Sequence, residues 1–379
     1  MIFSAIAPFS VFSRISGFYF FYFAAIGVYI IFLPQLMADR GYSAFEIGVL
    51  FSAGPVMRFL VPFLFLRFLT LTRQVFQLAL LGGLFSVGLF ILSVDHMLLA
   101  LLSLALLGTA WSLILPFVEV LALEHIGTRY GQSRLFGSIG FILVGLLLGH
   151  IALSFSVAMI AYVGTIAATV LIGLSLSSRI DKYPEPTQGR FGFRHHAGFW
   201  LAIFFMQMSF GGLYNFFTIY ASEHGIPLST ISWLWTVGVL AEIAMFLWQR
   251  RVLHLSLLML LHICFGLTAF RWVLLWLFPG DVAIALLSQS LHAFSLALFH
   301  TVAISYIYRH YQNRRLGQQF YLGIGYGLGG FVGSLFAGWI YGEALFLWMG
   351  LLAALGWAAL LLKPKASHKQ SSQKSSKGA

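Results

Sequence analysis

Of 379 residues, 60% are hydrophobic and only 9% are charged, and the mean hydropathy is +0.91. A soluble domain carries about 25% charged residues, so the composition excludes a soluble globular protein. The net charge of +11 would suggest nucleic acid in a soluble chain, but here the positive-inside rule accounts for it and no nucleic-acid partner is expected.

Apolar runs of about 20 residues recur from end to end, which indicates membrane helices. Twelve spans are read, at about 15–37, 45–66, 75–94, 97–122, 134–154, 157–177, 198–221, 229–249, 255–278, 282–308, 317–341 and 344–362. Residues 1–12 lack a basic stretch and lead straight into the first span, so that span is expected to remain uncleaved. The longest polar interruption, SRIDKYPEPTQGRFGFRHH, divides the chain in the middle. Pro184 and Pro186 discourage a continuous helix there. The expected organisation is a six-helix bundle at 1–177, a cytoplasmic linker at 178–197, a second bundle at 198–362 and a disordered tail at 363–379. The fold class is therefore an all-α membrane protein of two pseudosymmetric six-helix bundles.

The halves repeat. Residues 26–59 overlay residues 210–243 at an offset of 184, with Asp39 on Glu223, Gly41 on Gly225, Gly54 on Gly238 and Arg58 on Glu242. GQSRLFGSIG overlays GQQFYLGIGY at an offset of 186. Two segments with nearly one offset indicate a duplicated unit, whose binding site lies near the midplane between the halves.

Few ionisable groups lie within spans: Arg58, Glu119, Arg134, Glu242 and Arg271, with His292 and His300. Each costs about 2.5–3.5 kcal/mol or more in a membrane, which marks it for function or for a structural pair. Glu119 lies eight residues before Gly127 and Arg134 seven after it. In a helical hairpin both sit roughly 10–12 Å from the turn, so they can pair. That pair either faces a cavity or serves as a buried structural bridge. A carboxylate such as Glu242 can carry a proton, or it can lock two helices as a permanent partner. Arg271 can face an anionic substrate, pair with Glu242 or reach towards the outer surface. Gln289 and Ser295 share a face with His292, and His300 lies about 80° away around the helix. Tyr22, Tyr29, Gln207, Tyr214 and Asn215 are further polar handles. The glycines of GIGYGLGG lie inside a span, where they mark close helix contacts and not a phosphate loop. Cys264 is the single cysteine, so no intrachain disulfide is possible and no cysteine metal site is expected.

The stretch VEVLALEHIGTRYGQSRLFGSIGF, VMRF around Arg58, VLAEI around Glu242, FRW around Arg271 and QSLHAFSLALFH carry a resemblance. Over essentially its whole length the chain resembles the major facilitator superfamily. Within it, the chain is similar to the phenylpropionate permease group of proton symporters, related to lactose permease. The resemblance implies that Glu119 and Arg134 are substrate ligands and that His292 is the functional histidine of the tenth helix. It also marks a departure: the position of the family's proton-carrying carboxylate, three residues after that histidine, holds Ser295.

The expected function is secondary active transport by alternating access, with proton-coupled uptake of a small aromatic carboxylate such as 3-phenylpropionate. Glu119, Arg134, Arg58, Arg271, Tyr29 and Asn215 are the expected substrate contacts, and Glu242 and His292 the proton-coupling groups. The three arginines and two glutamates leave one positive charge, which matches one carboxylate. A sugar or nucleoside symporter and a non-transporting membrane sensor are the alternatives. No enzyme activity, cofactor or metal is expected, and the partners are the substrate, the proton and the lipid bilayer around a monomer. Lys and Arg crowd the segments on one side, whereas the other side holds Arg40 beside Asp39, Glu46, Asp95, Glu223, Asp281 and Glu343. Both termini are therefore expected in the cytoplasm, with the protein in the inner membrane. A topology reporter fused at Lys374 should read cytoplasmic, and a periplasmic signal there would overturn the twelve-span arrangement.

Overall fold

The structure, a computed structural model, describes residues 10–68, 72–151, 154–178 and 191–362. The middle of the expected linker and the tail at 363–379 lie outside the described residues. Among those described there is no strand. Ten stretches are long and apolar enough to cross a membrane. One of them, Met97–Gly149, is two helices that meet at Gly127, and Leu345–Ala359 is a shorter apolar helix. Twelve helical segments result, consistent with the expected count.

They are α1 (Val11–Asp39), α2 (Ala44–Phe68), α3 (Arg73–Ser93), α4 (Met97–Ile126), α5 (Tyr130–Gly149) and α6 (Phe155–Ser177). In the second half come α7 (Ala197–Ser209 continued by Gly211–Glu223), α8 (Leu228–Trp248), α9 (Leu257–Leu277), α10 (Val282–His310), α11 (Arg314–Trp339) and α12 (Leu345–Ala359). The starts follow from local chemistry. Ser10, Thr72, Ser154, Asp281 and Asn313 each accept a hydrogen bond from the backbone N–H three residues on, at 3.0–3.3 Å. This satisfies a donor that the first turn leaves open.

The repeat seen in the sequence is a repeat of packing. In the first half α1 packs on α5 and α6, α4 on α2 and α3, and α3 on α6. In the second half α7 packs on α11 and α12, α10 on α8 and α9, and α9 on α12. Each second-half pair is a first-half pair shifted by six helices. The turns repeat too. Gly41 and Gly225 both take positive φ, 88° and 82°, where glycine meets no Cβ penalty. Tyr42 N donates to Met37 O and Ile226 N to Ala221 O, so α1 and α7 end in the same motif at the offset of 184.

Between the halves, α2 packs on α11, α5 on α8, and the later part of α1 on the later part of α7. Small residues bring two of these crossings together. A Cβ on Gly48 would stand 2.7 Å from the Ser334 carbonyl oxygen, and one on Gly149 would overlap the Ser232 side chain. Gly48 and Ser232 are related by the repeat offset of 184, and Gly149 and Ser334 by 185. The second crossing is thus the first with glycine and serine exchanged. Both lie towards the end opposite the Arg-rich turns, and Gly338 against Ala44 extends the same contact. Arg40, at that end, is neutralised by Asp95 at 2.7 Å and lies over the Phe155 ring at 3.9 Å.

Within each half the helices are equally close. A Cβ on Gly140 would overlap the Phe20 carbonyl of α1, and one on Gly333 the Met208 carbonyl of α7. Gly140→Val should force α1 and α5 apart and destabilise the fold by about 1–3 kcal/mol. A thermal melt in detergent checks this, and an unchanged midpoint would contradict so close an approach.

Candidate functional site

The hairpin of α4 and α5 places Glu119 and Arg134 as their spacing requires. Arg134 Nη2 lies 3.8 Å from Glu119 Oε1, and both side chains are 35% exposed although they lie within helices. At that distance the pair is an ion pair without a close hydrogen bond, since charge-assisted bonds close to about 2.7–2.9 Å. The guanidinium is held from the other side by aromatic rings, 4.3 Å above Phe23 and 5.2 Å above Tyr19. Tyr130, one turn before Arg134, engages Glu119, Arg134 and Tyr19 through its hydroxyl.

Glu242 of α8 and His300 of α10 belong to the second half, and the Arg134 charge acts on both. Glu242 in turn acts on Tyr214 and Tyr326. Arg58 is exposed in the middle of α2 and lies within electrostatic reach of Tyr22, Tyr29, Tyr214 and Tyr326. Tyr29 and Trp111 meet edge to face at 5.1 Å. His300 Nδ1 lies 3.2 Å from the Tyr321 hydroxyl, and Tyr321 is fully buried. The result is a set of charges and phenols from α1, α2, α4, α5, α7, α8, α10 and α11: Arg58, Glu119, Arg134, Glu242 and His300 lie in the halves of their helices nearer the Arg-rich turns, whereas Tyr29 and Tyr214 lie past the midpoints of α1 and α7.

A second polar cluster lies in the opposite half of the molecule, and it holds Arg271. That side chain is fully buried. Its donors go to His292 Nδ1 at 2.9 Å, Ser295 Oγ at 2.8 Å, Gln289 Oε1 at 3.0 Å and Ser288 Oγ at 3.5 Å. Gly238 of α8 leaves room for this group, with Gln289 Oε1 3.3 Å from where a Cβ would stand. Because arginine has no acceptor and keeps its proton, Nδ1 of His292 is the acceptor in that bond. The structure thus gives Arg271 and His292 to each other and not to Glu242. Asn215 is likewise engaged elsewhere, donating to Ser334 Oγ at 2.7 Å. Of the expected contacts, Glu119, Arg134, Arg58, Tyr29 and Glu242 are linked to one another directly or through shared tyrosines; His292 and Asn215 bond elsewhere, and Arg271, bonded to His292, still reaches Tyr214.

The tyrosines of this set were the weakest signal in the sequence. Tyr22, Tyr29 and Tyr214 stand out there as polar handles, whereas nothing in the sequence singles out Tyr19, Tyr130, Tyr321 or Tyr326. Backbone irregularity marks the same places. π-helical turns at Val28–Phe32 and Tyr321–Gly329 contain Tyr29 and Tyr326, and one at Ala293–Leu298 ends two residues before His300; such turns often occur near functional groups.

The MFS_1 like family model matches residues 12–349. The probable 3-phenylpropionic acid transporter of Escherichia coli (strain K12) is 26% identical, over 92% of this chain and 96% of its own. The maltose permease of Geobacillus stearothermophilus is 31% identical, over 45% of each chain. Among solved structures, the nucleoside transporter NupG superposes with a TM-score of 0.72 at 16% identity, covering 95% of this chain and all of that one. The human organic anion transporter MFSD10 gives 0.65 at 16% identity, over 92% and 98%.

The Arg271 cage generates its own prediction. His292→Phe leaves an Arg271 N–H without an acceptor in a dry site, and a bond to a charged group contributes about 1.5–3 kcal/mol. The thermal midpoint in detergent should fall accordingly. No fall would mean that water reaches Arg271. Family match, fold and the set of opposed charges between two related halves agree, and the chain belongs to the MFS_1 like family, a multi-pass secondary transporter of the major facilitator type.

Proposed function

We propose that the transporter takes up a small aromatic carboxylate, such as 3-phenylpropionate, together with a proton. The observation that carries this is the state of Arg134. It is fixed by two rings and by an acid at 3.8 Å that does not close a hydrogen bond on it. A guanidinium offers five donors in a fork that fits a carboxylate. The surrounding phenols and Phe23 offer the apolar and edge surfaces that an aromatic ring needs. The printed name of the Escherichia coli relative supports this substrate class.

Coupling follows from competition for one cation. Charged Glu242 and a substrate carboxylate both draw on Arg134. Protonation of Glu242 removes one competitor, so proton and anion bind together. Glu119 remains the partner of Arg134 when the site is empty, and Arg58 faces the same chamber from α2. Arg271 supplies a fixed positive charge deeper in the molecule, and His292 serves by holding it. We further infer that 1–177 and 198–362 move as two bodies around this site, in the inner membrane, with both termini in the cytoplasm and the protein monomeric. The expected absence of enzyme activity is part of the same reading.

Binding of 3-phenylpropionate to purified protein, and its loss when the carboxylate becomes an amide, tests the substrate class. An amide that competes as well as the acid would replace this reading with the sugar or nucleoside one. In proteoliposomes, Glu242→Gln should abolish pH-driven accumulation while exchange of substrate across the membrane continues. Arg134→Lys should lose binding and transport at wild-type levels of folded protein. Intact accumulation in Glu242→Gln would remove Glu242 as the proton carrier.

A further inference from the structure

His300 does not enter the coupling scheme above. It is half-buried in α10, and the Arg134 charge reaches it from the other half of the molecule. Its ring stands 5.3 Å from that of Tyr321 and 6.5 Å from that of Tyr326. The Tyr321 hydroxyl meets Nδ1 at 3.2 Å. Tyr321 is fully buried, and it also engages the Tyr326 hydroxyl. The orientation of the imidazole is therefore set by a residue that itself cannot turn. Nε2, the other ring nitrogen, has no hydrogen-bond partner among the described residues. His292 differs in that it is buried and its Nδ1 serves the buried Arg271.

We infer that His300 is a specificity-determining contact: its Nε2 takes a hydroxyl on the aromatic ring of the substrate, whose carboxylate lies on Arg134. This rests on the carboxylate reading above and deepens it. A ligand bound between the halves with its acid on α5 extends its far end towards the second half, where His300 and Tyr326 stand. The imidazole presents either N–H or a lone pair at Nε2, according to whether Tyr321 donates to or accepts from Nδ1. A hydroxyl matches both, since it donates and accepts. A second carboxylate matches only one of them and would add a negative charge beside Glu242. The preferred substrate class is thus a phenolic or otherwise ring-hydroxylated aromatic acid. Tyr321 is the positioning residue.

The test is isothermal titration of purified wild type, His300→Phe, His300→Gln and Tyr321→Phe with 3-phenylpropionate and with its ring-hydroxylated derivatives. Wild type should bind the best-placed hydroxylated acid roughly 3- to 10-fold more tightly than the parent, the span of one net neutral hydrogen bond. His300→Phe should erase that ratio, whatever it does to the affinity for 3-phenylpropionate itself. His300→Gln should restore part of the ratio, which a merely structural histidine would not do. If His300→Phe does not fold, Tyr321→Phe gives the same reading, with a reduced ratio expected. Equal binding of parent and hydroxylated acids by wild type overturns the inference and leaves the carboxylate reading standing, as does a ratio that survives in His300→Phe and Tyr321→Phe. Binding of neither acid by wild type overturns both.

Discussion

A guanidinium inside a helical bundle cannot be left alone, and it cannot be fully neutralised if it is to bind an anion. Arg134 meets both demands. Glu119 holds it at 3.8 Å, far enough to keep a direct hydrogen bond from forming. Phe23 and Tyr19 cover its faces, where the electron-rich rings offset part of the lost hydration. Tyr130 engages Arg134 from the same helix, and the Arg134 charge also acts on Glu242 and His300 across the interface, so the charge balance of the site depends on both halves at once. A movement of one half against the other changes that balance.

Arg271 solves the same problem in the opposite way. It is fully buried among neutral acceptors supplied by one stretch of α10. Neutral acceptors satisfy the donors without cancelling the charge. The site therefore keeps a net positive potential that no proton can switch off, because arginine does not titrate in the relevant range. Ser295, standing where the resembling family carries a carboxylate, belongs to this arrangement. A carboxylate there would pair with Arg271 and remove the potential. The hydroxyl keeps it.

Much of this was legible in the sequence, and the reason is depth. Charged residues stand out in apolar spans, and counting from Gly127 sets Glu119 and Arg134 at one level without knowledge of side-chain direction. The repeat was legible because turns demand glycine, and Gly41 and Gly225 both carry positive φ. Direction around each helix was not legible. Apolar residues cover these spans on every face, so no amphipathic pattern marks the inward side. Arg271 and Arg58 look alike in sequence, yet one is sealed and the other exposed. Tyr130, Tyr321 and Tyr326 were hidden for a related reason. An aromatic in a membrane helix is ordinary, and only the third dimension shows that several phenols lie within electrostatic reach of the charges.

The closing contacts between the halves are of a kind that can be remade. Ion pairs at such a seam would have to be desolvated each time it shut, at a cost that offsets much of their attraction. The seam here brings Gly48 to Ser334 and Gly149 to Ser232. Small residues let backbones approach, and the hydroxyls bond within their own helices: Ser232 Oγ to Leu228 O and Ser334 Oγ to Gly330 O. No hydrogen bond at these two serines has to be broken when the helices part. Because the repeat exchanges glycine and serine between the two crossings, both meet the same geometric requirement. Neither crossing then sets the barrier alone, and the difference between closed and open states at that seam falls mainly to van der Waals contact.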